Sequence, residues 1–168
     1  MKLRPWLMAA RPPTLWAAVT PVLVGAGLAR GDGVLRWDAL VAALPTAVLI
    51  NIAVNFANDA SDARRGADGA ERIGPARTVA SGLIDERTMW RGVAVVLALA
   101  VGGGIYLTVI AGWVVAAIGT ASIVAALGYT GGPAPYGYRG LGEVFVFVFF
   151  GLAATVGSRY IHDQTAPL

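Results

Sequence analysis

Ala39-Leu-Val-Ala-Ala-Leu-Pro-Thr-Ala-Val-Leu-Ile-Asn-Ile-Ala-Val-Asn-Phe-Ala57 is the stretch of sequence that decides the fold class. It contains no charged residue, and it has the length that a helix needs to cross the hydrocarbon core of a bilayer. Two asparagines lie in its second half, and Asn58-Asp-Ala-Ser-Asp62 follows it directly. The pattern predicts a membrane-spanning helix whose last turns are polar.

Four other apolar runs accompany this one. The composition agrees, because 57% of the residues are hydrophobic and 14% are charged, whereas soluble domains carry about 25% charged residues. We therefore predict an all-α, polytopic membrane bundle of about five transmembrane helices, without a soluble domain. The predicted spans are residues 15–29, 39–57, 89–107, 113–129 and 141–157.

The first run begins like a secretory signal peptide, with Lys2 and Arg4 before an apolar stretch. Arg11 and the Pro12-Pro13 pair interrupt that stretch. Because proline bends or breaks a helix, we predict that the segment is retained as a first span, bent at the prolines.

Small residues recur at four-residue spacing in the third run. They are Ala94, Ala98 and Gly102. Such a stripe is typical of close helix packing in membranes, so we expect a packing surface there.

The charge distribution predicts the orientation of the chain. The net charge is +3, and with a cytoplasmic N-terminus most basic residues fall on the cytoplasmic side, as the positive-inside rule requires. We therefore expect a multi-pass protein of the plasma membrane, with the N-terminus and the Asp-rich loop in the cytoplasm. Because the topology accounts for the basic residues, no nucleic-acid partner is needed to explain them. The cytoplasmic set is Lys2, Arg4, Arg11, Arg64, Arg65, Arg72, Arg77, Arg87, Arg91 and Arg139, and the outer set is Arg30, Arg36 and Arg159.

The polar residues that end the second run share one helix face. Asn51, Asn55, Asp59 and Asp62 follow one another at steps of four, four and three, with Asn58 alongside. Polar groups at membrane depth are costly unless they face a cavity or the bundle interior, so their alignment predicts a functional cavity. Mg²⁺ takes one or two carboxylates and shares the phosphates of its substrate. A magnesium-bridged diphosphate is therefore the predicted ligand.

Two other interpretations of this polar stripe stay open. In the first, the asparagines form interhelical hydrogen bonds while Asp59 and Asp62 cap the next segment. In the second, the stripe lines the pathway of a small transporter or proton-conducting protein. The stripe stops on one side of the membrane, which argues against a pathway.

Basic and aromatic residues lie near the same predicted surface. Arginines after the stripe suit phosphate oxygens through forked hydrogen bonds, or serve topology alone. Tyrosine rings in the loop at residues 130–140 either stabilise positive charge on an allylic carbon or anchor the interface. The arginines are Arg64, Arg65, Arg72 and Arg77, and the tyrosines are Tyr129, Tyr136 and Tyr138.

These residues carry a resemblance to a known family. Asn55, Asp59 and Asp62 match the first Asp-rich motif, Asn-x-x-x-Asp-x-x-Asp, of the UbiA superfamily of intramembrane aromatic prenyltransferases. Within that superfamily the chain resembles the menaquinone-biosynthesis branch, which prenylates 1,4-dihydroxy-2-naphthoate. The branch is indicated by Ala10-Arg11-Pro12 with Thr14, by Arg72-Ile-Gly-Pro75-Ala-Arg77, and by Tyr129-Thr-Gly-Gly-Pro133 running to Gly140-Leu-Gly-Glu143.

The resemblance implies a role for each residue of the predicted site. Asn55, Asp59 and Asp62 would hold Mg²⁺ against a polyprenyl diphosphate. The complete set of predicted diphosphate-binding residues is Asn55, Asn58, Arg72 and Arg77, and the predicted catalytic residues are Asp59, Asp62, Tyr129 and Tyr138.

The implied reaction joins a polyprenyl chain to an aromatic ring. Metal and arginines stabilise the departing diphosphate, the naphthoate ring attacks the allylic carbon, and loss of the carboxylate gives the quinol form of demethylmenaquinone. The apolar tail of the substrate would lie along the bundle, open to lipid. Another aromatic acceptor, such as a different quinone, haem or chlorophyll precursor, stays open.

The resemblance covers the whole chain but little more than half of the family fold. Family members have about nine spans and a second Asp-rich motif after the sixth. We therefore expect residues 1–168 to form a single prenyltransferase-like domain that is incomplete at its C-terminus. Such a domain would be inactive alone, or would act as a homo-oligomer or with a complementary C-terminal chain.

Overall fold

The computed structural model describes residues 3–66, 77–131 and 135–165. Within these ranges the chain forms seven α-helices and one π-helical turn, and no β-strand. This confirms the predicted all-α class. The helices are α1 (Leu3–Ala10), α2 (Trp16–Gly31), α3 (Trp37–Arg65), α4 (Glu86–Ala111), α5 (Trp113–Thr130), α6 (Gly142–Val146) and α7 (Ala154–Asp163), and the π-helical turn (Phe147–Ala153) joins α6 to α7.

The number of spans agrees with the prediction. Four segments are long and apolar enough to cross a membrane: Trp37–Arg65, Glu86–Ala111, Trp113–Thr130 and Gly142–Asp163. A fifth is the bent pair Leu3–Thr14 and Trp16–Gly31, whose two parts meet at 48°. The chain is thus a polytopic bundle of four or five spans.

The bend in the first span lies where the prolines predict it. Arg11 has a φ of 52°, in the left-handed region that a non-glycine residue seldom adopts. Its carbonyl accepts hydrogen bonds from the Thr14 amide and hydroxyl, both at 2.9 Å. The short turn Pro12–Thr14 therefore redirects the chain between α1 and α2.

Helix α3 runs through the centre of the bundle and packs mainly along α4. The two backbones approach closely where Thr46 meets Gly103, because a Cβ atom at position 103 would collide with the Thr46 hydroxyl. Ala94, Ala98 and Gly102 are exposed. The prediction that they form a packing surface is therefore wrong for contacts within this chain.

Helix α3 extends further than the apolar run predicts. It continues through the Asp-rich motif to Arg65 and ends at Gly66, whose φ is 67°. After the undescribed residues 67–76, α4 begins with Asp85 as its N-cap, whose carboxylate accepts from the Thr88 amide at 2.9 Å. Hydrogen bonds from the Thr88 side chain and from its amide hold the pKa of Asp85 below its usual value. Because α3 continues to Arg65, Asn55, Asp59 and Asp62 all project from one continuous helix.

Ion pairs close the end of the bundle that contains Asp32, which we call the Asp32 end. Arg159 of α7 is bonded to Asp32 Oδ2 through Nε and Nη2, at 3.0 and 2.8 Å, and to Asp163 Oδ1 through Nη1, at 2.7 Å. The Arg36 amide at the start of α3 donates to His162 Nδ1 at 3.2 Å. His162, for which the sequence predicts no role, thus joins α7 to α3.

Candidate functional site

Asn55 connects the first span to α3. Its Nδ2 donates to the Ala10 carbonyl at 2.9 Å, to Thr14 Oγ1 at 3.0 Å and to Asn51 Oδ1 at 3.1 Å. Its Oδ1 forms no hydrogen bond with a described residue. The amide nitrogen therefore anchors the side chain, while the oxygen stays available to a ligand.

Asp59 is held by the chain segment that follows residue 76. Oδ2 accepts from the Thr78 amide at 3.0 Å and from the Thr78 hydroxyl at 2.9 Å, and Oδ1 accepts from the Val79 amide at 3.0 Å. The residue is 2% exposed. Both carboxylate oxygens thus have protein partners, as the capping interpretation of the motif requires.

Asp62 lies one turn further along α3 and accepts a hydrogen bond from Arg77. Both side chains are buried. The structure therefore brings together Asp59, Asp62 and Arg77, which the sequence places in one site. Arg72, the other predicted diphosphate contact on this segment, lies outside the described residues.

The donor set at this end of the bundle has the chemistry of a magnesium site. Asn55, Asp59 and Asp62 offer one carboxamide and two carboxylates, and Mg²⁺ commonly needs only one or two carboxylates besides water and phosphate. In the described part of the chain, however, no three His, Asp or Glu side chains are grouped to hold a metal ion. Asp59 Oδ1 accepts one hydrogen bond, from the Val79 amide, so its second lone pair could serve a metal ion without loss of that bond.

A large, mainly apolar cavity of about 620 Å³ lies between α3, α4, α5 and the last span. Asn55 and Asn58 line it from α3, and Tyr129 lines it from α5. The Thr130 hydroxyl donates to Asn58 Oδ1 at 2.6 Å and so ties the end of α5 to α3. We call this space the main cavity.

An aromatic wall borders the main cavity. Tyr136 meets Tyr129 edge to face, with ring centroids 5.5 Å apart, and stacks on Phe145 at 3.8 Å, which is followed by Phe149 at 5.8 Å. The Tyr136 hydroxyl donates to the Ala125 carbonyl. Burial, with a smaller contribution from Tyr129, raises the pKa of Tyr136 above its ordinary value. The wall therefore presents neutral aromatic faces.

Sequence reasoning found only part of this wall. It singled out Tyr129 and Tyr136, which line the main cavity, and Tyr138, whose side chain is outside the part that the structure describes. It missed Phe145 and Phe149, although an aromatic-rich run directly after the tyrosine loop is a visible signal. It also missed Thr78, whose contact with Asp59 has no signal in spacing.

Helix α3 presents different residues to the cavity and to the rest of the protein. Asn51, Asp59 and Asp62 do not line the main cavity, whereas Asn55 and Asn58 do. The predicted single polar face is therefore divided. Its carboxylates point toward the segment at residues 77–79, and of its residues only Asn55 and Asn58 reach the cavity.

The sequence model of the UbiA prenyltransferase family matches residues 18–168. The chain belongs to this family. The matched residues include α3 with its Asp-rich motif and the parts of α4, α5 and the last span that line the main cavity.

Several curated relatives of this UbiA chain carry related names. A 1,4-dihydroxy-2-naphthoate octaprenyltransferase of Mycobacterium tuberculosis is 42% identical over 92% of the chain and 53% of that protein. One of Escherichia coli is 40% identical over 95% of the chain and 54% of that protein. A 2-carboxy-1,4-naphthoquinone phytyltransferase of a Synechocystis species is 29% identical over 95% and 52%. The chain spans about half the length of the curated relatives it matches.

Proposed function

We propose that this chain takes part in the transfer of a polyprenyl group from its diphosphate to 1,4-dihydroxy-2-naphthoate, in menaquinone biosynthesis. The observation that carries the proposal is the main cavity. Its lining is mostly apolar, and Asn55 and Asn58 from the C-terminal half of α3 add polar groups to it. A polyprenyl diphosphate has the same division between an apolar chain and a polar head. The names of the relatives at 40% and 42% identity support the same substrates.

Each part of the site has a role in this proposal. Asn55 Oδ1, Asp59 and Asp62 would hold Mg²⁺, which would supply positive charge for the departing diphosphate. Arg77, with Arg72, contacts phosphate oxygens after exchanging its bond to Asp62. The Tyr129 ring, together with Tyr138, faces the allylic carbon as positive charge develops there.

The bond changes are those of an aromatic substitution. The bond between the allylic carbon and the diphosphate oxygen breaks, and a carbon–carbon bond forms to the naphthoate ring. The ring carboxylate leaves as carbon dioxide and its electron pair remains in the ring. The apolar lining of the main cavity keeps water from the cationic carbon, which would otherwise give a prenyl alcohol.

The catalytic unit in this proposal includes more helices than the 168 residues provide. Because the chain spans about half the length of its relatives, the remaining helices come from further sequence of the same protein, a second copy or a complementary chain. We place this assembly in the plasma membrane with the N-terminus and the Asp59 end of the bundle in the cytoplasm. That orientation follows the positive-inside rule.

Two other functions are less well supported. Transfer to a different aromatic acceptor shares the whole site, and the naphthoquinone phytyltransferase relative favours it at lower identity. A proton or ion pathway is disfavoured by the apolar lining of the main cavity. Comparing several acceptors in one transfer assay separates the first from our proposal.

The direct test is prenyl transfer by membranes that contain this chain, given dihydroxynaphthoate, a polyprenyl diphosphate and Mg²⁺. We expect product only with Mg²⁺, and none after EDTA. Membranes from a strain that lacks its own enzyme, with and without a supplied C-terminal half of a relative, test whether the chain needs further helices.

Substitutions connect the activity to the site. Asp59→Asn and Asp62→Asn are expected to abolish magnesium-dependent binding of the diphosphate while leaving membrane insertion intact. Asp38→Asn is the matched control, because Asp38 is an exposed carboxylate at the opposite end of the same helix. Undiminished binding in both motif variants would show that Asp59 and Asp62 do not form the diphosphate site.

A further inference from the structure

His162 is the only histidine of the sequence, and it is buried at the Asp32 end of the bundle. It lies in the last turn of α7, directly after Ile161. Ile161 lines the main cavity and packs in the same apolar cluster as Leu107 and Ala111. The function proposed above gives this histidine no part. Because histidine titrates near neutral pH, its burial beside the cavity needs an explanation of its own.

The hydrogen bond from α3 fixes the protonation state of the ring. The Arg36 amide donates to Nδ1 at 3.2 Å, so this nitrogen keeps its lone pair and the proton of the neutral ring lies on Nε2. Nε2 is buried and has no hydrogen-bond partner among the described residues. The site therefore fits a neutral imidazole, and the bond through Nδ1 joins the end of α7 to the start of α3.

The carboxylates that act on the ring from the described residues are already bound to arginines. Two pairs surround it, together with one hydroxyl. They are Arg159 with Asp32 of α2 and Asp163 of α7, and Arg36 with Asp38 of α3, which also accepts from the Tyr106 hydroxyl of α4. Arg30, the other charged residue at the end of α2, is exposed, and α5 carries no charged side chain. A further positive charge at the ring would thus have to compete with an arginine for its counter-ion.

Protonation of the ring would break its contact with α3. An imidazolium carries protons on both nitrogens, so Nδ1–H would face the Arg36 N–H instead of accepting from it. The new charge would also be buried close to Arg36 and Arg159, and a buried charge without a partner is strongly unfavourable. Acid therefore favours a state in which the end of α7 has moved away from α3 and the ring reaches water.

We propose that His162 forms a pH-sensitive contact, which at neutral pH holds the end of the last span against α3 and is lost when the ring is protonated. The outer end of the main cavity opens at the same time, because Gly157, Ser158 and Ile161 of the same helix line it. In the orientation that follows from the positive-inside rule, this contact lies at the outer surface and responds to external pH. The proposal does not depend on the transfer reaction.

The first test is nitrogen NMR of the full chain in nanodiscs, with labelled histidine. The single histidine gives one pair of ring-nitrogen signals, whose positions show which nitrogen carries the proton. At about pH 7.5, well above the ordinary titration of histidine, we expect the neutral ring with its proton on Nε2. A ring with the proton on Nδ1, or a charged ring, would overturn the proposal.

The second test is hydrogen exchange of backbone amides, measured by mass spectrometry at about pH 7.5 and about pH 5. This range covers the ordinary titration of histidine and lies above that of aspartate. After correction for the intrinsic pH dependence of exchange, we expect roughly tenfold lower protection at the lower pH in peptides from α7 and the start of α3, because a buried donor loses its acceptor. Peptides from the start of α4, at the other end of the bundle, should not change.

Two variants locate the pH response. His162→Gln does not titrate, and its side-chain oxygen can still accept from the Arg36 amide, so we expect equal protection at both pH values. Asp38→Asn is the matched control. It removes a carboxylate near the ring without removing the hydrogen bond to Nδ1, and the loss of protection in acid should persist.

Three exchange results would also overturn the proposal: equal protection of the unsubstituted chain at both pH values, a persisting acid response in His162→Gln, or its disappearance in Asp38→Asn. The last two would assign the response to the carboxylates of the Asp32 end. The NMR signals and the exchange of the unsubstituted chain decide the question even if His162→Gln does not fold.

Discussion

The two ends of the bundle use charged residues in opposite ways. At the Asp32 end, Arg159 is bonded to two aspartates, and its side chain is 5% exposed. At the Asp59 end, Asp59 is satisfied by backbone and hydroxyl donors of Thr78 and Val79, and two cavities open beside it. The charged residues at the first end join helices to one another, whereas those at the second end lie beside cavities that can hold ligands.

This difference teaches how to separate structural from functional polar residues in a membrane bundle. Both ends contain aspartates together with arginines, so the presence of both charges does not distinguish them. What distinguishes them is whether the polar groups border a cavity, as Asn55 and Asn58 do, or join two helices directly, as Arg159 does. Substitutions at the Asp32 end should therefore change stability, and those at the Asp59 end should change local structure and binding.

The largest expected effect is that of Gly25→Ala. A Cβ atom at this position would lie 2.6 Å from Ser158 Cβ and 2.7 Å from the Arg159 backbone nitrogen, so α2 and α7 would have to separate. We expect a loss of roughly 2 to 3 kcal/mol in the free energy of unfolding, measured by thermal unfolding in detergent. Gly27→Ala is the control, because nothing lies within 4 Å of its added Cβ. Equal stability of the two variants would contradict the close packing of α2 on α7.

Arg159→Gln should have the next largest effect. It removes the charged hydrogen bonds to Asp32 and Asp163, and we expect a loss of about 2 kcal/mol, since both carboxylates can still be hydrated. The measurement is again thermal unfolding, with Arg30→Gln as the control for an exposed arginine at the same end. A stability loss equal to that of the control would mean that the ion pairs of Arg159 do not stabilise the Asp32 end.

Asp59→Asn should act locally. A carboxamide cannot accept from the Thr78 and Val79 amides with both of its polar atoms, so the segment that follows residue 76 loses a hydrogen bond worth roughly 1 to 2 kcal/mol. We expect faster proteolysis of the stretch between α3 and α4, with little change in overall unfolding. Proteolysis at the unsubstituted rate would show that Asp59 does not hold this segment.

Thr130→Val should have the smallest effect. The substitution keeps the shape of the side chain and removes the hydrogen bond to Asn58, for an expected cost of about 1 kcal/mol. Val124→Thr, the reverse exchange at an exposed position of the same helix that does not line the main cavity, is the control. The sharper readout is access to the main cavity, measured as the rate at which a naphthol probe quenches tryptophan fluorescence. A rate no faster than that of the control would mean that the hydrogen bond does not limit passage.

Much of the fold follows from the sequence because bilayer thickness imposes it. The number of spans, the bend at Pro12-Pro13 and the grouping of Asn55, Asp59 and Asp62 on one helix each follow from a run length, a proline or a spacing.

The parts that could not be predicted depend on which helix face meets which neighbour. Lipid is as apolar as a protein interior, so an apolar residue in a span gives little information about its burial. The exposed stripe at Ala94, Ala98 and Gly102 shows this directly. The division of α3 into a cavity face and a carboxylate face likewise needs the positions of α5 and of Thr78, which no local pattern contains.

The docking of α1 has a consequence for the biogenesis of the protein. Trp6 packs edge to face on Phe56, with ring centroids 5.3 Å apart, and its ring occupies the space beside Gly92. The Ala10 carbonyl is bonded to Asn55. During synthesis α1 leaves the ribosome before α3, which carries Asn55 and Phe56. Helix α1 must therefore wait in the membrane, and a ribosome stalled before residue 55 would leave it undocked.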